Sequence, residues 1–156
     1  MSVATNMLQE AESDRNFMGQ IVTGDETWVY GYDPETKRQS SQLKCADSPR
    51  PKETRQMRSK VKVMLIVFFD MEGIVDYEYV PQGQTVNQQF YLQVLKRLRL
   101  AVSRKRPQKR AAGGWALHHD NAPAHKAHSI QEFLASHGNT VVQQPPYSPD
   151  MAPCDF

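Results

Sequence analysis

No run of apolar residues in this chain is longer than the seven from Val63 to Phe69, against roughly 20 for a helix that crosses a bilayer. A membrane-spanning helix is excluded on length. Cysteine is nearly absent, and Cys45 and Cys154 lie too far apart for a CxxC redox or zinc motif. Both read as reduced thiols, not as a disulfide framework. The first twenty residues, broken by Glu10, Glu12, Asp14 and Arg15, lack the apolar core of a secretory signal, so the expected start is inside the cell. Neither sign of charge dominates: 19 Lys plus Arg face 17 Asp plus Glu, a net of +2. That balance is too mild, taken alone, to argue for a nucleic-acid partner. Internal repeats and low-complexity tracts are missing as well. What is there is 156 residues, 39% hydrophobic and 9% aromatic, the size of one domain with a modest core and far from disordered compositions.

Residues Gln20 to Tyr32 hold Ile21, Val22, Thr23, Trp28, Val29 and Tyr30, a β-branched and aromatic mixture that favours a strand. Asp33 to Lys60 contains Pro34, Pro49 and Pro51 and no clear period, which predicts a long loop or arm. Val61 to Phe69 is nearly continuous in apolar side chains, as expected of a central strand covered on both faces. Asp70 to Gly73 supplies turn chemistry, so Ile74 to Val80 should return antiparallel as a hairpin. Thr85 and Gln88 are spaced like a capping box, and Tyr91, Val94, Leu95, Leu98, Ala101 and Val102 then recur at helical spacing. A short strand is expected at Trp115 to His119, then a helix with Pro123 in its first turn that buries Ala127, Ile130, Phe133 and Leu134. Gly138 closes that helix, and Thr140 to Val142 form a last strand. Trp28, Trp115, Phe68 and Phe69 read as core. The order of elements points to an α/β fold, one mixed sheet with flanking helices.

Three carboxylates stand in unusual settings: Asp25 inside a predicted central strand, Asp120 at the carboxyl end of another, and Asp155 in the proline-punctuated tail. A charge within a sheet must reach solvent, find a cation, or have its pKa raised, and open sheets place ligand crevices at strand carboxyl ends. If the three converged, their repulsion would be relieved by hard divalent cations, Mg²⁺ or Mn²⁺, and two such ions can activate water and stabilise a leaving 3′ oxygen. Read separately, they are a turn acid, an N-cap and a tail residue.

The blocks around these acids are Thr23-Gly24-Asp25-Glu26-Thr27-Trp28, His119-Asp120-Asn121-Ala122-Pro123-Ala124-His125, and Tyr147-Ser148-Pro149-Asp150-Met151-Ala152-Pro153-Cys154-Asp155-Phe156. Together they resemble the three signature blocks of mariner-type transposases, and the 34 residues between Asp120 and Asp155 match the interval by which that family's aspartate triad is known. The resemblance runs from about Phe17 to the last residue. It implies a ribonuclease H-like catalytic domain over 17–156, with 1–16 the remnant of a linker. It further implies two divalent metals held by Asp25, Asp120 and Asp155, DNA cleavage at transposon ends, and transfer of the freed 3′ hydroxyl into target DNA in the nucleus. The 33–60 insertion corresponds to a family loop that reaches toward a partner subunit and DNA, with Arg50, Lys52, Arg55 and Arg58 as its cations; family members act as dimers. Relative to the family, Cys154 stands where serine is common and Met151 where leucine is usual. The paired helix-turn-helix units that read transposon ends, and the helix that follows the third acid, are absent from this chain, which leads to an expectation of impaired activity.

Lys96, Arg97, Arg99, Arg104, Lys105, Arg106, Lys109 and Arg110 form a block with no acid among them. The apolar stripe on Leu95, Leu98 and Val102 should turn these cations outward, for phosphate contacts or simply for the helix C-terminal dipole. The stretch Arg104 to Arg110 also passes as a nuclear localisation tract. His119, Asn121 and His125 are expected around Asp120, one layer behind the metal ligands; the five histidines do not form a structural-zinc pattern. The leading reading is a metal-dependent transposase catalytic domain. The alternatives are a non-catalytic remnant that binds DNA or a transposase subunit, and a nuclease of similar fold acting on RNA–DNA hybrids.

Overall fold

The structure is a computed structural model, and it describes residues 3–14, 16–34, 56–111, 114–146, 148 and 153–154. Two helices, α1 (Val3–Ser13) and α2 (Phe17–Gln20), precede a long strand β1 (Ile21–Pro34). Strands β2 (Gln56–Asp70) and β3 (Gly73–Tyr79) follow, then α3 (Gln88–Lys105), α4 (Pro107–Ala111), β4 (Ala116–His118), α5 (His128–Ser136) and β5 (Thr140–Val142). The five strands form one sheet in the order β3-β2-β1-β4-β5. β2 pairs antiparallel with both β1 and β3, whereas β4 pairs parallel with β1 and with β5. A hairpin suffices for the antiparallel half. Parallel neighbours need crossovers, and α3 and α5 provide them.

Period decides which side is buried. On α3 the 3.6-residue repeat sends Tyr91, Val94, Leu95, Leu98, Ala101 and Val102 inward. They meet Val22, Ile66, Phe68, Val75 and Leu117 from alternate strand positions, and Ile130 and Leu134 from α5, in one hydrophobic cluster. The expected core is therefore present, with three corrections, the first being Phe69, which is only partly buried and outside this cluster. Trp28 is 44% exposed, with the Lys62 ammonium 4.1 Å from its ring centroid, because β1 outruns the helices that would cover it. β2 is interior to the sheet but closed on one face: Ile66 and Phe68 are buried while Val61 is 66% exposed.

Strand and helix ends differ from expectation for local reasons. Both margins of the 33–60 segment are strand, with Asp33 opposite Met57 and Pro34 opposite Gln56 beyond a register shift at Tyr30/Tyr32. Residues 35–55, which include Arg50, Lys52, Arg55 and Cys45, lie outside the described residues. Asn87, not a Thr85/Gln88 box, caps α3: its side chain accepts from the Phe90 amide at 2.9 Å, while Gln88 reaches Ser129 on α5. Pro123 does not open α5. The amides of His125 and Lys126 both return to the Ala122 carbonyl in an isolated turn, and extended Ala127 separates that turn from the helix. Gly138 has φ 69° and ends α5 as expected.

Three cations of the basic block, Arg97, Arg106 and Lys109, pair with acids distant in sequence. Arg97 makes a two-pronged pair with Glu78 of β3 at 2.7 and 2.8 Å. Asp70, at the β2–β3 turn and with a side chain only 1% exposed, receives Arg106 at 3.0 Å and Lys109 at 3.3 Å. Lys109 is buried and also donates to the Gly19 carbonyl. The expectation that these cations face solvent is corrected for Arg106 and Lys109, which fasten α4 to the hairpin. Burial opposes the charge on Asp70, but the Arg106 hydrogen bond, the Glu72 amide and Lys109 outweigh it and hold its carboxyl below the ordinary value.

Replacing Asp70 with Asn should cost about 3 kcal/mol, because the buried Lys109 loses its counter-charge while Arg106 keeps Glu72; chemical denaturation measures it. Since the folded pKa of Asp70 is depressed, its contribution is present above about pH 4 and is lost as pH falls below that. The same variant should therefore flatten the acid limb of a stability–pH curve. Gly24 faces Phe68 across the β1–β2 ladder, and a Cβ there would lie on the ring atoms. Gly24→Ala should lower stability by about 1–3 kcal/mol, the usual cost of overpacking, read as a drop in Tm.

Candidate active site

Strand register brings the first two acids together. The β1–β4 pairing runs Ile21↔Ala116, Val22↔Leu117, Thr23↔His118 and stops. Asp25 and Asp120 each lie two residues further on, Asp25 still within β1 opposite Val67 and Asp120 just past the carboxyl end of β4. Thr23 and His118, hydrogen-bonded at 3.1 Å, form the floor beneath them. One small cleft is lined by Thr23, Gly24, Asp25, His118, His119, Asp120, Gln144 and Cys154. Asp155 and Asp150 lie outside the described residues. Cys154 does not, and its sulfur stands 3.9 Å from the Thr23 hydroxyl.

Each described carboxylate is oriented by a nearby amide. Asp25 Oδ1 accepts from the Glu26 amide at 2.7 Å, and Asp120 Oδ1 accepts from the Ala122 amide at 3.0 Å. Asp120 is also 2.6 Å from His125 Nδ1, and its side chain remains 49% exposed. The other nitrogen of His125 donates to Glu26 at 3.1 Å. Burial works against charging this ring, yet the close contacts with the Asp120 and Glu26 carboxylates prevail and hold its pKa up at about 9. In return, the close contact with His125 holds Asp120 below the ordinary carboxylate value despite partial burial.

Behind His125 lies a stack. Tyr91 is 3.9 Å from it between ring centroids, and His119 is 4.9 Å away with its ring nearly parallel. Tyr91 Oη and His119 Nδ1 are 2.8 Å apart. Burial first, then the charge on His125, lowers the pKa of His119 to about 3, so this ring is neutral and its Nδ1 accepts a hydrogen bond from the tyrosine hydroxyl. Burial and the nearby Glu26, Asp120 and Asp25 push Tyr91 well above its usual value, which keeps the phenol protonated as the donor.

Of the three residues expected around Asp120, His125 touches it, His119 turns to Tyr91, and Asn121 donates instead to the Gln144 carbonyl at 2.7 Å. Glu26 and Tyr91 had no assigned role in the sequence reading. Glu26 carried a weak signal, an acid next to Asp25 that period two sends to the opposite face of the sheet. Tyr91 carried none beyond its place in the apolar stripe. Among the basic residues, Lys96, Arg104 and Lys105 are exposed, and Arg99 is half-buried beside Trp115, His137 and Asn139. The side chain of Arg110 lies outside the described residues.

The donor chemistry suits a hard cation: carboxylate oxygens at the cleft mouth, with the nearest ring nitrogens already engaged by Thr23 and Tyr91. Among the described residues no group of three His, Cys, Asp or Glu is arranged to hold a metal; the chain segment at Cys154 enters the cleft beside Asp25 and Asp120.

A family model described as "Transposase (partial DDE domain)" matches residues 33–112. The chain belongs to this transposase family. The mariner Mos1 transposase of Drosophila mauritiana is 39% identical over 144 residues, covering 91% of this chain and 41% of the relative. Mariner-type resemblance is thus upheld. The structure of the Mos1 transposase catalytic domain with raltegravir and Mg superposes with TM-score 0.73 at 30% identity, covering 99% of this chain and 64% of that one. The Mos1 strand transfer complex gives TM-score 0.75 at 32% identity, covering 99% and 43%. The mixed sheet is therefore the ribonuclease H-like sheet of a transposase catalytic domain. This transposase chain spans well under half the length of its curated relative, and the segment matched by the family model contains none of Asp25, Asp120 or Asp155.

In metal-free protein, ¹⁵N resonances should show His125 doubly protonated through neutral pH and titrating near 9, and His119 neutral down to about pH 3. Because the folded pKa of His125 is raised, its contribution to stability is complete below about pH 6.5 and is lost as pH rises through 9. A ring at Asp120 that titrates near 6.5 would contradict the double contact.

Proposed function

We propose that this chain is the catalytic domain of a mariner-type DNA transposase, which cleaves DNA strands at transposon ends and joins the freed 3′ hydroxyl to target DNA. The observation that carries the reading is the placement of Asp25 and Asp120 two residues past the last β1–β4 pair, one within β1 and the other just past the end of β4. Asp155 completes the ligand set in this proposal, supported by Cys154 in the same cleft. Two Mg²⁺ or Mn²⁺ ions bound there would lower the pKa of an attacking water and stabilise the leaving oxygen.

The chain's own residues do the rest. Asp25 and Asp120 supply fixed oxygen ligands. Next to them a cleft of about 500 Å³, lined by His119, Asp120, Asn121, Lys126, Gln131 and Gln144 among others, offers amide donors and a lysine to phosphate oxygens. Lys96, Arg104 and Lys105 add an exposed basic face, and Arg104 to Arg110 would serve as the nuclear address. Residues 17–156 form the catalytic unit, 1–16 its lead-in, and the 33–60 arm reaches a second subunit and DNA in this reading.

Incubation of the purified chain with DNA carrying transposon ends tests the proposal. Mg²⁺-dependent nicking is expected, and Asp25→Asn or Asp120→Asn should reduce it about a thousand-fold, the scale of several kcal/mol of lost charge stabilisation. Nicking that survives Asp120→Asn, or no nicking by the unaltered chain, would refute it; preference for RNA–DNA hybrids would favour the nuclease reading.

A further inference from the structure

The backbone ladder between β1 and β4 ends at Thr23↔His118, before either acid. Ladder hydrogen bonds therefore do not set the separation of Asp25 and Asp120, although metal ligands need placement to within about 0.5 Å. A different chain of contacts crosses the gap. Asp120 Oδ1 is 2.6 Å from His125 Nδ1, His125 Nε2 is 3.1 Å from Glu26 Oε1, and the Glu26 amide is 2.7 Å from Asp25 Oδ1.

His125 cannot easily tilt within this chain of contacts. Its side chain is 3% exposed, its ring is stacked by Tyr91 and His119, and its backbone is pinned to the Ala122 carbonyl. Tyr91 and His119 are in turn tied to each other at 2.8 Å, so α3 and the end of β4 hold the ring from behind. We infer that His125 is a positioning residue, a strut that couples Asp120 to the Glu26–Asp25 segment and so sets the distance between the two carboxylates. The inference rests on the proposed reading of Asp25 and Asp120 as metal ligands. It adds a residue that contacts no substrate and acts through its two acidic partners.

The two side-chain amides separate this role from packing. Asparagine places its nitrogen near the position of Nδ1 and keeps the contact to Asp120. Glutamine places its nitrogen near that of Nε2 and keeps the contact to Glu26. The readouts are Mn²⁺ affinity, by calorimetry or electron paramagnetic resonance, and Tm. His125→Gln should weaken Mn²⁺ binding by about 10–100-fold, the usual cost of losing a residue that orients a ligand. His125→Asn should weaken it severalfold less, although the shorter side chain leaves the larger void and the lower Tm. A role in packing alone gives the reverse order, with affinity following Tm, and overturns the inference.

Should either variant fail to fold, Glu26→Gln, at a partly exposed position, keeps the shape and removes the charged end of the strut. A severalfold weaker affinity at unchanged Tm supports the role, and an unchanged affinity overturns it. Asp120→Ala distinguishes the two failures. If the unaltered chain binds Mn²⁺ no better than Asp120→Ala, the metal-site reading falls and takes the strut with it. If it binds better, and the His125 and Glu26 variants match it, the strut alone falls.

Discussion

Two ionised carboxylates held close together, one within β1 and one just past β4, repel each other by an amount that ranges from about 1 kcal/mol in water to several in a protein surface of lower effective dielectric. Much around the candidate site answers that repulsion. In the cation-free protein, the positive charge on His125 sits between Asp120 and Glu26 and offsets it. The tyrosine–histidine pair behind the ring is neutral, so it adds no charge that would compete. Parallel pairing of β1 with β4 creates the problem, and the turn at 122–126 delivers the group that contains it.

That turn also explains why α5 begins late. A helix opening at Pro123 would carry His125 around with the helical rotation, away from both acids. An isolated turn followed by extended Ala127 lets the ring point back under the sheet end while Ile130 and Leu134 still reach the core. Local propensity yields here to a tertiary demand, which is where departures from simple rules concentrate in functional proteins.

The parts of the fold that were legible in the sequence are those written in local period. The α3 stripe, the hairpin of β2 and β3, the left-handed Gly138 and the short β5 all follow from residues within a turn or two of one another. Less legible were features decided by distant partners. Nothing near Arg106 or Lys109 announces Asp70, and nothing in Trp28 says that the covering helices stop short of it. Cap choice at Asn87 turned on Gln88 having a better partner on α5. The acids were legible as three motif blocks, but that Asp25 and Asp120 share a register is a fact of non-local strand pairing. Glu26 and Tyr91 were invisible as functional residues because one looked like a solvent-facing neighbour and the other like core.

The Asp70 clasp has a consequence for how this protein would sense ionic strength. A phosphate backbone binds tightly at low salt because each protein cation that replaces a condensed counterion releases it to bulk solution. Cations already matched by Asp70 and Glu78 release few. With Arg97, Arg106 and Lys109 so engaged, the fifteen-residue basic stretch carries fewer available charges than its composition suggests. In the proposed transposase reading, the cations of this stretch that face solvent for a phosphate backbone are mainly Lys96, Arg104 and Lys105.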